Sequence, residues 1–257
     1  MTIVLGRERR DELRAMARDL RREGGRPAER LADGLRAVAA RRADRDTKRW
    51  FERIEAERRR LVRSTDVLTR NGGKVESTVG AVAKKASVSP EHAWTLWQLT
   101  RRVGASRVLE MGTCVGVSGS YLAAASGGGR PGGGTLRTLE GHEDRAEVAR
   151  DTFRRLGLED AEVVVGTFTR TLPGALDGGP YDLVFVDGHH DGNATLRYVD
   201  QIRAASRPGA VLVLDDITWS DSMAAAWTEV QRRLSASAHA DLGRVGVVVL
   251  GADDAWS

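Results

Sequence analysis

Apolar residues recur at helical spacing through residues 7–64 and then in short runs separated by helical stretches from residue 105 onward. In residues 7–23, Leu13, Met16, Ala17 and Leu20 share one helical face. Gly24 and Gly25 stop that helix, and Pro27 opens the next at a first-turn position. Leu31, Leu35 and Val38 form the second stripe. Trp50, Phe51, Ile54 and Leu61 form a third over residues 46–64. Residues 66–88 contain Asn71-Gly72-Gly73, which reads as a turn or flexible loop. After Ser89-Pro90, a helix carrying Trp94, Leu96, Trp97 and Leu99 runs to Gly104.

Beyond residue 105 the apolar runs predict strands at 107–112, 135–140, 161–166, 181–188 and 210–216. Helices are predicted between them at 117–125, 143–156, 193–206 and 220–234. Residues 235–251 read as a terminal pair of strands. The glycine-rich stretch 126–134 reads as a surface loop rather than a phosphate cradle. Strands alternating with helices of this length predict an α/β fold with a mostly parallel sheet covered on both faces.

Composition narrows the class without naming a chemistry. Hydrophobic residues at 41% and charged residues at 30% fit a globular chain and exclude a disordered one. No apolar run approaches the length of a membrane helix, and MTIVLGRERR does not read as a secretory leader. The single cysteine, Cys114, excludes an internal disulfide and a cysteine-rich zinc module, so a cytoplasmic location is expected. Net charge is +4, but residues 1–70 hold 21 basic against 13 acidic side chains and the remainder is mildly acidic. A basic arm suits nucleic acid or an acidic partner. Interleaved acids favour a salt-bridged helical face instead, so nucleic acid and membrane are not the expected partners.

Candidate chemistry gathers at strand ends. Glu110-Met-Gly112-Thr113-Cys114-Val-Gly116-Val-Ser118 spans a strand-to-helix turn, where glycines admit a ligand and the helix start offers free N–H groups. The segment lacks G-x-G-x-x-G, which argues against an NAD-dependent oxidoreductase. Glu140 and Gly141 end the second predicted strand. A carboxylate there either accepts hydrogen bonds from both ribose hydroxyls of an adenosine or is a solvated strand end. Gly166-Thr167-Phe168 follows the third strand, Asp187-Gly188-His189-His190-Asp191 the fourth, and Asp215-Asp216 the fifth. All lie at the carboxyl edge, where open α/β sheets bind ligands.

The blocks VLEMGTCVGVS, TLEG, YDLVFVDGHHDGNATLRYVDQI and PGAVLVLDDITWSDSMAAAW resemble class I S-adenosylmethionine-dependent methyltransferases. They are most similar to small bacterial O-methyltransferases of the catechol and caffeoyl-CoA type. The resemblance covers residues from about 75 onward. It implies a Rossmann-like seven-stranded sheet in the order 3-2-1-4-5-7-6, with the last strand antiparallel. It also implies S-adenosylmethionine as cofactor. Glu110, Gly112, Thr113, Gly116 and Ser118 would lie at its methionine end, Glu140 and Gly141 at its ribose, and Thr167 and Phe168 at its adenine. Asp187, which would also border the cofactor, would join Asp215 and Asp216 as ligands of a divalent metal. Oxygen ligands suit Mg²⁺ or Ca²⁺. The metal would lower the pKa of an acceptor hydroxyl.

One departure stands out. The relatives carry a lysine base three residues after the fourth-strand aspartate, and this chain has His190. A histidine can do that work at neutral pH. Alternatively His189 and His190 help hold a softer metal such as Mn²⁺, Fe²⁺ or Zn²⁺, or one of them only faces water. Asp187, His189 and His190 are thus the candidate catalytic group, and Trp219 is a candidate wall for the substrate. Lys84, Lys85 and His92 fall where relatives close a lid, and His142 falls near the adenosine. Three regions are expected: a basic helical extension at 1–65, a helical lid or linker at 66–104, and the cofactor-binding core at 105–257. The expected activity is O-methylation of a small molecule. The alternatives are a metal-independent methyltransferase acting on oxygen or nitrogen, an RNA-modifying methyltransferase, and a cofactor-binding assembly protein. The extension is expected to cross a partner subunit in a homodimer or to cap the acceptor pocket.

Overall fold

The computed structural model describes residues 5–40, 42–70, 74–129 and 132–254. The expected Asn71-Gly72-Gly73 turn, and Arg130-Pro131 in the glycine-rich stretch, lie outside the described residues.

Three helices open the chain: α1 (Arg7–Glu23), α2 (Arg26–Ala40) and α3 (Arg45–Arg63). Asp44 caps α3 by accepting from the Thr47 N–H at 2.7 Å, which satisfies one of the free donors at its start. A hairpin follows, β1 (Val67–Arg70) paired antiparallel with β2 (Lys74–Thr78), where the sequence suggested only loop. The Thr69 N–H and hydroxyl both donate to Asp144, and Arg145 pairs with Glu76, so the hairpin is fastened to the helix that follows the fourth strand. Next come α4 (Val79–Ala86) and α5 (Pro90–Arg102), whose start is capped by Ser89.

The core begins at β3 (Arg107–Met111) and continues through α6 (Val117–Ala125), β4 (Thr135–Glu140), α7 (Glu143–Leu156) and β5 (Ala161–Val165). Then follow α8 (Phe168–Asp177), β6 (Leu183–Val186), α9 (Gly192–Ala204), β7 (Val211–Leu214) and α10 (Asp221–Arg233). β8 (Ala238–Asp241) and β9 (Gly246–Val249) close the chain. The sheet runs β5-β4-β3-β6-β7-β9-β8. Counted from β3 this is the order 3-2-1-4-5-7-6, as the resemblance implied. β9 lies antiparallel to β7 and the remaining core pairs are parallel, apart from the β8–β9 hairpin.

Alternation along the strands splits the core in two. Val108, Phe185, Val211 and Val213 face the side covered by α5, α6 and α7, while Leu109, Met111, Val184, Val186 and Leu212 face α8, α9 and α10. The N-terminal helices belong to the first layer. Phe51 is fully buried, with its ring 5.9 Å from Trp94, 5.3 Å from Trp97 and 4.7 Å from Tyr121. The Trp94 indole donates to the Val38 carbonyl at 2.9 Å. None of the described residues of 5–65 lines the cleft at the carboxyl edge of the sheet, so the extension does not cap it as one expectation had it. Its apolar stripes are buried within the same chain, because α5 and α6 present large aromatics that need covering. Trp227 is likewise core, as expected.

Candidate functional site

The carboxyl ends of β3, β4, β5, β6 and β7 open onto one cleft of about 690 Å³, within the size range of ligand pockets. Its floor is the turn after β3. Gly112 has φ +111, and a Cβ there would strike the backbone carbonyl of Asp187 on the neighbouring strand. Gly116, at φ +85, caps the start of α6 in a left-handed conformation; it does not itself line the cleft, but Val117 and Ser118, the first residues of that helix, do. Thr113, Cys114 and Ser118 line it beside Gly112. Burial pushes the Cys114 thiol up to about 12, so it is a small filler and not a nucleophile.

Glu140 stands at the next strand end, almost wholly buried. One oxygen accepts the Cys114 N–H at 2.7 Å, and the other accepts the His142 N–H at 3.0 Å. Each carboxylate oxygen keeps a second lone pair for a ligand hydroxyl. Gly141, His142, Thr167 and Phe168 continue the wall, and Phe168 is set edge-on to Tyr198 at 5.9 Å. A Cβ at Gly188 would meet the Phe168 ring, so that ring closes on the turn after β6. These residues fit the cofactor the resemblance implies.

Glu110 is placed differently from the expectation. It does not line the cleft but lies beneath it, fully buried. Oε2 accepts from the Thr138 hydroxyl at 2.7 Å, Ser118 also bonds the carboxyl group, and Thr113 and Thr138 share a hydrogen bond of 2.6 Å. Oε1 has no partner among the described residues. Burial, despite the Ser118 and Thr138 hydrogen bonds, raises this carboxyl to about 7. Glu110 therefore holds the turn from below through Ser118 and, by way of Thr138, through Thr113.

The other half of the cleft is charged. Asp187, His190 and Asp216 bring one ligand atom each within 4.8 Å of one another. A His190 nitrogen lies 4.0 Å from Asp187 Oδ1, and its other nitrogen 3.5 Å from Asp216 Oδ2. Burial holds Asp187 well above the ordinary carboxylate range, reinforced by the charges of Asp215, Glu110 and Asp216. Burial and the Asp215 charge raise Asp216 as well. His189, His190 and Asp216 all have positive φ, at 72°, 35° and 55°. Such strain in residues that are not glycine gathers at functional sites. Trp219 is 68% exposed, lines the cleft and lies 5.8 Å from the His190 ring.

Two expected residues are not in the converged group. His189 turns aside, with Nδ1 3.0 Å from the Tyr198 hydroxyl. Asp215 is buried and engaged elsewhere: Arg244 donates to it from Nε at 3.1 Å and from Nη2 at 3.2 Å. Arg244 Nε also lies 2.8 Å from Asp216 Oδ1. The expected metal set of Asp187, Asp215 and Asp216 does not fit, because a guanidinium already holds both oxygens of one member and one oxygen of another. Among the lid candidates, Lys85 lines the cleft with Val82, Ser87 and Val88, whereas His92 is buried with Nδ1 3.8 Å from Asp215. Sequence reasoning missed Arg244 and Arg145 in the cleft lining.

The sheet order and the cleft at its carboxyl edge make this a Rossmann-like α/β fold. Comparison with known proteins agrees: residues 109–217 match the profile of a methyltransferase domain family. A catechol O-methyltransferase from Mycobacterium tuberculosis is 40% identical over 134 residues, covering 52% of this chain and 58% of that protein. The chain thus spans little more than half the length of this curated relative. The solved structure of cofactor-bound Rv0187 from MTB is 26% identical with a TM-score of 0.55, covering 82% of this chain and 91% of that one. The O-methyltransferase TomG from Streptomyces achromogenes, solved with SAM, is 23% identical with a TM-score of 0.55 and the same coverage, and shares the fold.

Proposed function

We propose that this chain is an S-adenosylmethionine-dependent methyltransferase acting on a hydroxyl oxygen of a small molecule. The observation that carries this reading is Glu140, buried at the end of β4 with each oxygen held by one backbone N–H and open to the cleft. That geometry suits the two ribose hydroxyls of an adenosine. The α6 N-terminus suits the carboxylate at the methionine end. The names of the O-methyltransferases this chain is similar to support a hydroxyl acceptor, with catechols the first class to test.

When bound, the cofactor supplies a sulfonium methyl: a C–O bond forms as the C–S bond breaks, and the electron pair stays on sulfur. The chain's part is to hold the acceptor and move its proton. His190 is positioned as the general base, its ring between Asp187 and Asp216, whose carboxyls stabilise the imidazolium that forms. Trp219 offers a flat apolar wall to the acceptor, and enclosure by Val82 and Val88 keeps the two reactants in line.

A second reading gives the converged Asp187, His190 and Asp216 a divalent ion, their ligand atoms lying within 4.8 Å of one another. Its mixed nitrogen and oxygen donors suit Mn²⁺, Fe²⁺ or Zn²⁺ better than Mg²⁺. The RNA-modifying reading has less support, since many arginines of α1–α3 are paired with nearby acids. A homodimer loses the ground it was expected on, because the stripes of α1–α3 are buried within the chain. Among the described residues no helix is long and apolar enough to cross a membrane, and the free Cys114 fits the cytoplasmic location in this proposal. Calorimetry with S-adenosylhomocysteine, followed by methylation of a panel of catechols and simple alcohols, tests the function. Saturable binding and a methylated hydroxyl are expected. No cofactor binding by the wild type would overturn it.

A further inference from the structure

The carboxylates at the ends of β6 and β7 need a counter-ion, and the chain brings its own. Arg244 lies in the turn between β8 and β9, just before β9 enters the sheet beside β7. The Ile217 N–H donates to the Arg244 carbonyl at 3.0 Å, which ties this turn to the loop after Asp215 and Asp216. From there the guanidinium grips Asp215 with two nitrogens and Asp216 with one, at 2.8–3.2 Å. Asp215 is fully buried as a side chain, so this fork neutralises a charge that water does not reach. The Asp216 N–H also donates to Asp215 Oδ1 at 2.8 Å, so that oxygen is filled, and a divalent ion bound to Asp215 would have to share Oδ2 with the fork. It would also sit in contact with another cation.

The guanidinium is not used up by these bonds. It carries five N–H donors, and the contacts to Asp215 and Asp216 engage only Nε and one side of Nη2. Arg244 also lines the cleft with His190 and Trp219, where the acceptor would lie. We propose that Arg244 is the resident cation of this site: its free N–H groups hold the acceptor oxygen, and methyl transfer needs no divalent metal. This rests on the methyl-transfer reading of the cleft. As the acceptor hydroxyl gives its proton to His190, the oxygen gains negative charge against a donor already fixed in place. The guanidinium stays protonated throughout, the proton remains on His190, and the methyl ether leaves.

The test is a calorimetric titration of the metal-stripped full chain with MnCl₂ alone, beside turnover measured in EDTA. Wild type is expected to show no saturable Mn²⁺ uptake and undiminished turnover in EDTA. Arg244→Ala frees Asp215 and Asp216, so it is expected to gain saturable Mn²⁺ binding. It should lose roughly a hundredfold in metal-free turnover, the usual scale for one transition-state donor. Arg244→Lys, which keeps the charge but not the fork, should still exclude Mn²⁺. The thermal shift on adding S-adenosylhomocysteine reports whether each variant is folded. Should Arg244→Ala fail to fold, the wild-type titration and its EDTA arm decide alone. Saturable Mn²⁺ binding by the wild type, or loss of its turnover in EDTA, would overturn the proposal. Failure of the methyl-transfer reading would show separately, as no cofactor binding, and leaves the Mn²⁺ titration able to judge Arg244 as a cation.

Discussion

The two halves of the cleft are built from different materials. The cofactor half uses backbone: glycines at positive φ, a helix start and N–H groups that fix Glu140, resting on the buried Glu110–Thr138–Thr113 network. The acceptor half uses charged side chains on strained backbone at His189, His190 and Asp216. A backbone cradle has few degrees of freedom and recognises one shape. A cluster of ionisable side chains can move protons, and its chemistry depends on how its charges are balanced. On the proposed methyl-transfer reading, recognition and reactivity are separated along one sheet edge, and substitutions should divide in the same way.

The sharpest break is expected from His190→Ala. Removing a general base typically costs 10²–10⁴-fold. Turnover should fall by about that factor while calorimetric affinity for S-adenosylhomocysteine stays near wild type. A matching loss of affinity would mean that the halves are not separate. Glu110→Gln probes the floor. With its folded pKa raised to about 7, Glu110 contributes stability that is full below the ordinary carboxylate range and lost as pH rises toward 7. Relative to wild type, the variant should therefore gain stability between pH 4.5 and 8, by roughly 3 kcal/mol at most. Denaturant unfolding at several pH values reads this directly, and a difference that does not vary with pH would defeat it.

Glu140→Ala should weaken the cofactor by ~1–3 kcal/mol, the usual cost of an unmade buried hydrogen bond, and leave the Cys114 and His142 N–H groups unpaired. Its KM for the acceptor should hardly change. Trp219→Ala is the mildest: with that side chain 68% exposed, stability should stay within about 0.5 kcal/mol. Only the KM for an aromatic acceptor should rise. An unchanged KM would remove Trp219 from the substrate wall.

Much of this frame was legible in the sequence because each of the five parallel strands is a short run with apolar residues that ends at a glycine or an acid. α8 was not, since Pro173 and Gly174 interrupt it and tertiary packing of Leu172 and Ala175 holds it. The β1–β2 hairpin was hidden because its strands are only four and five residues long, and it is fastened by Asp144 and Glu76 contacts whose partners lie some seventy residues apart. In the site, the strand ends foretold which side chains meet, but not which way each faces. Glu110 could have been read as buried, because it shares the face of Val108 two residues earlier. Arg244 carried no local signal. It meets Asp215 only because the sheet turns a strand back, and their separation of 29 residues records no contact.

That reversed strand bears on how chains of this fold could diversify. Parallel strands deliver only their carboxyl ends to the working edge, and each of the five there leads on into a helix. β9 runs the other way and arrives with its first residue, which leaves the β8–β9 turn at the edge with no helix to serve. A residue such as Arg244 can be exchanged there by changes in a short surface turn, without disturbing a cap or a buried strand. Whether a chain of this build relies on an internal cation or an external one can thus drift independently of its cofactor cradle.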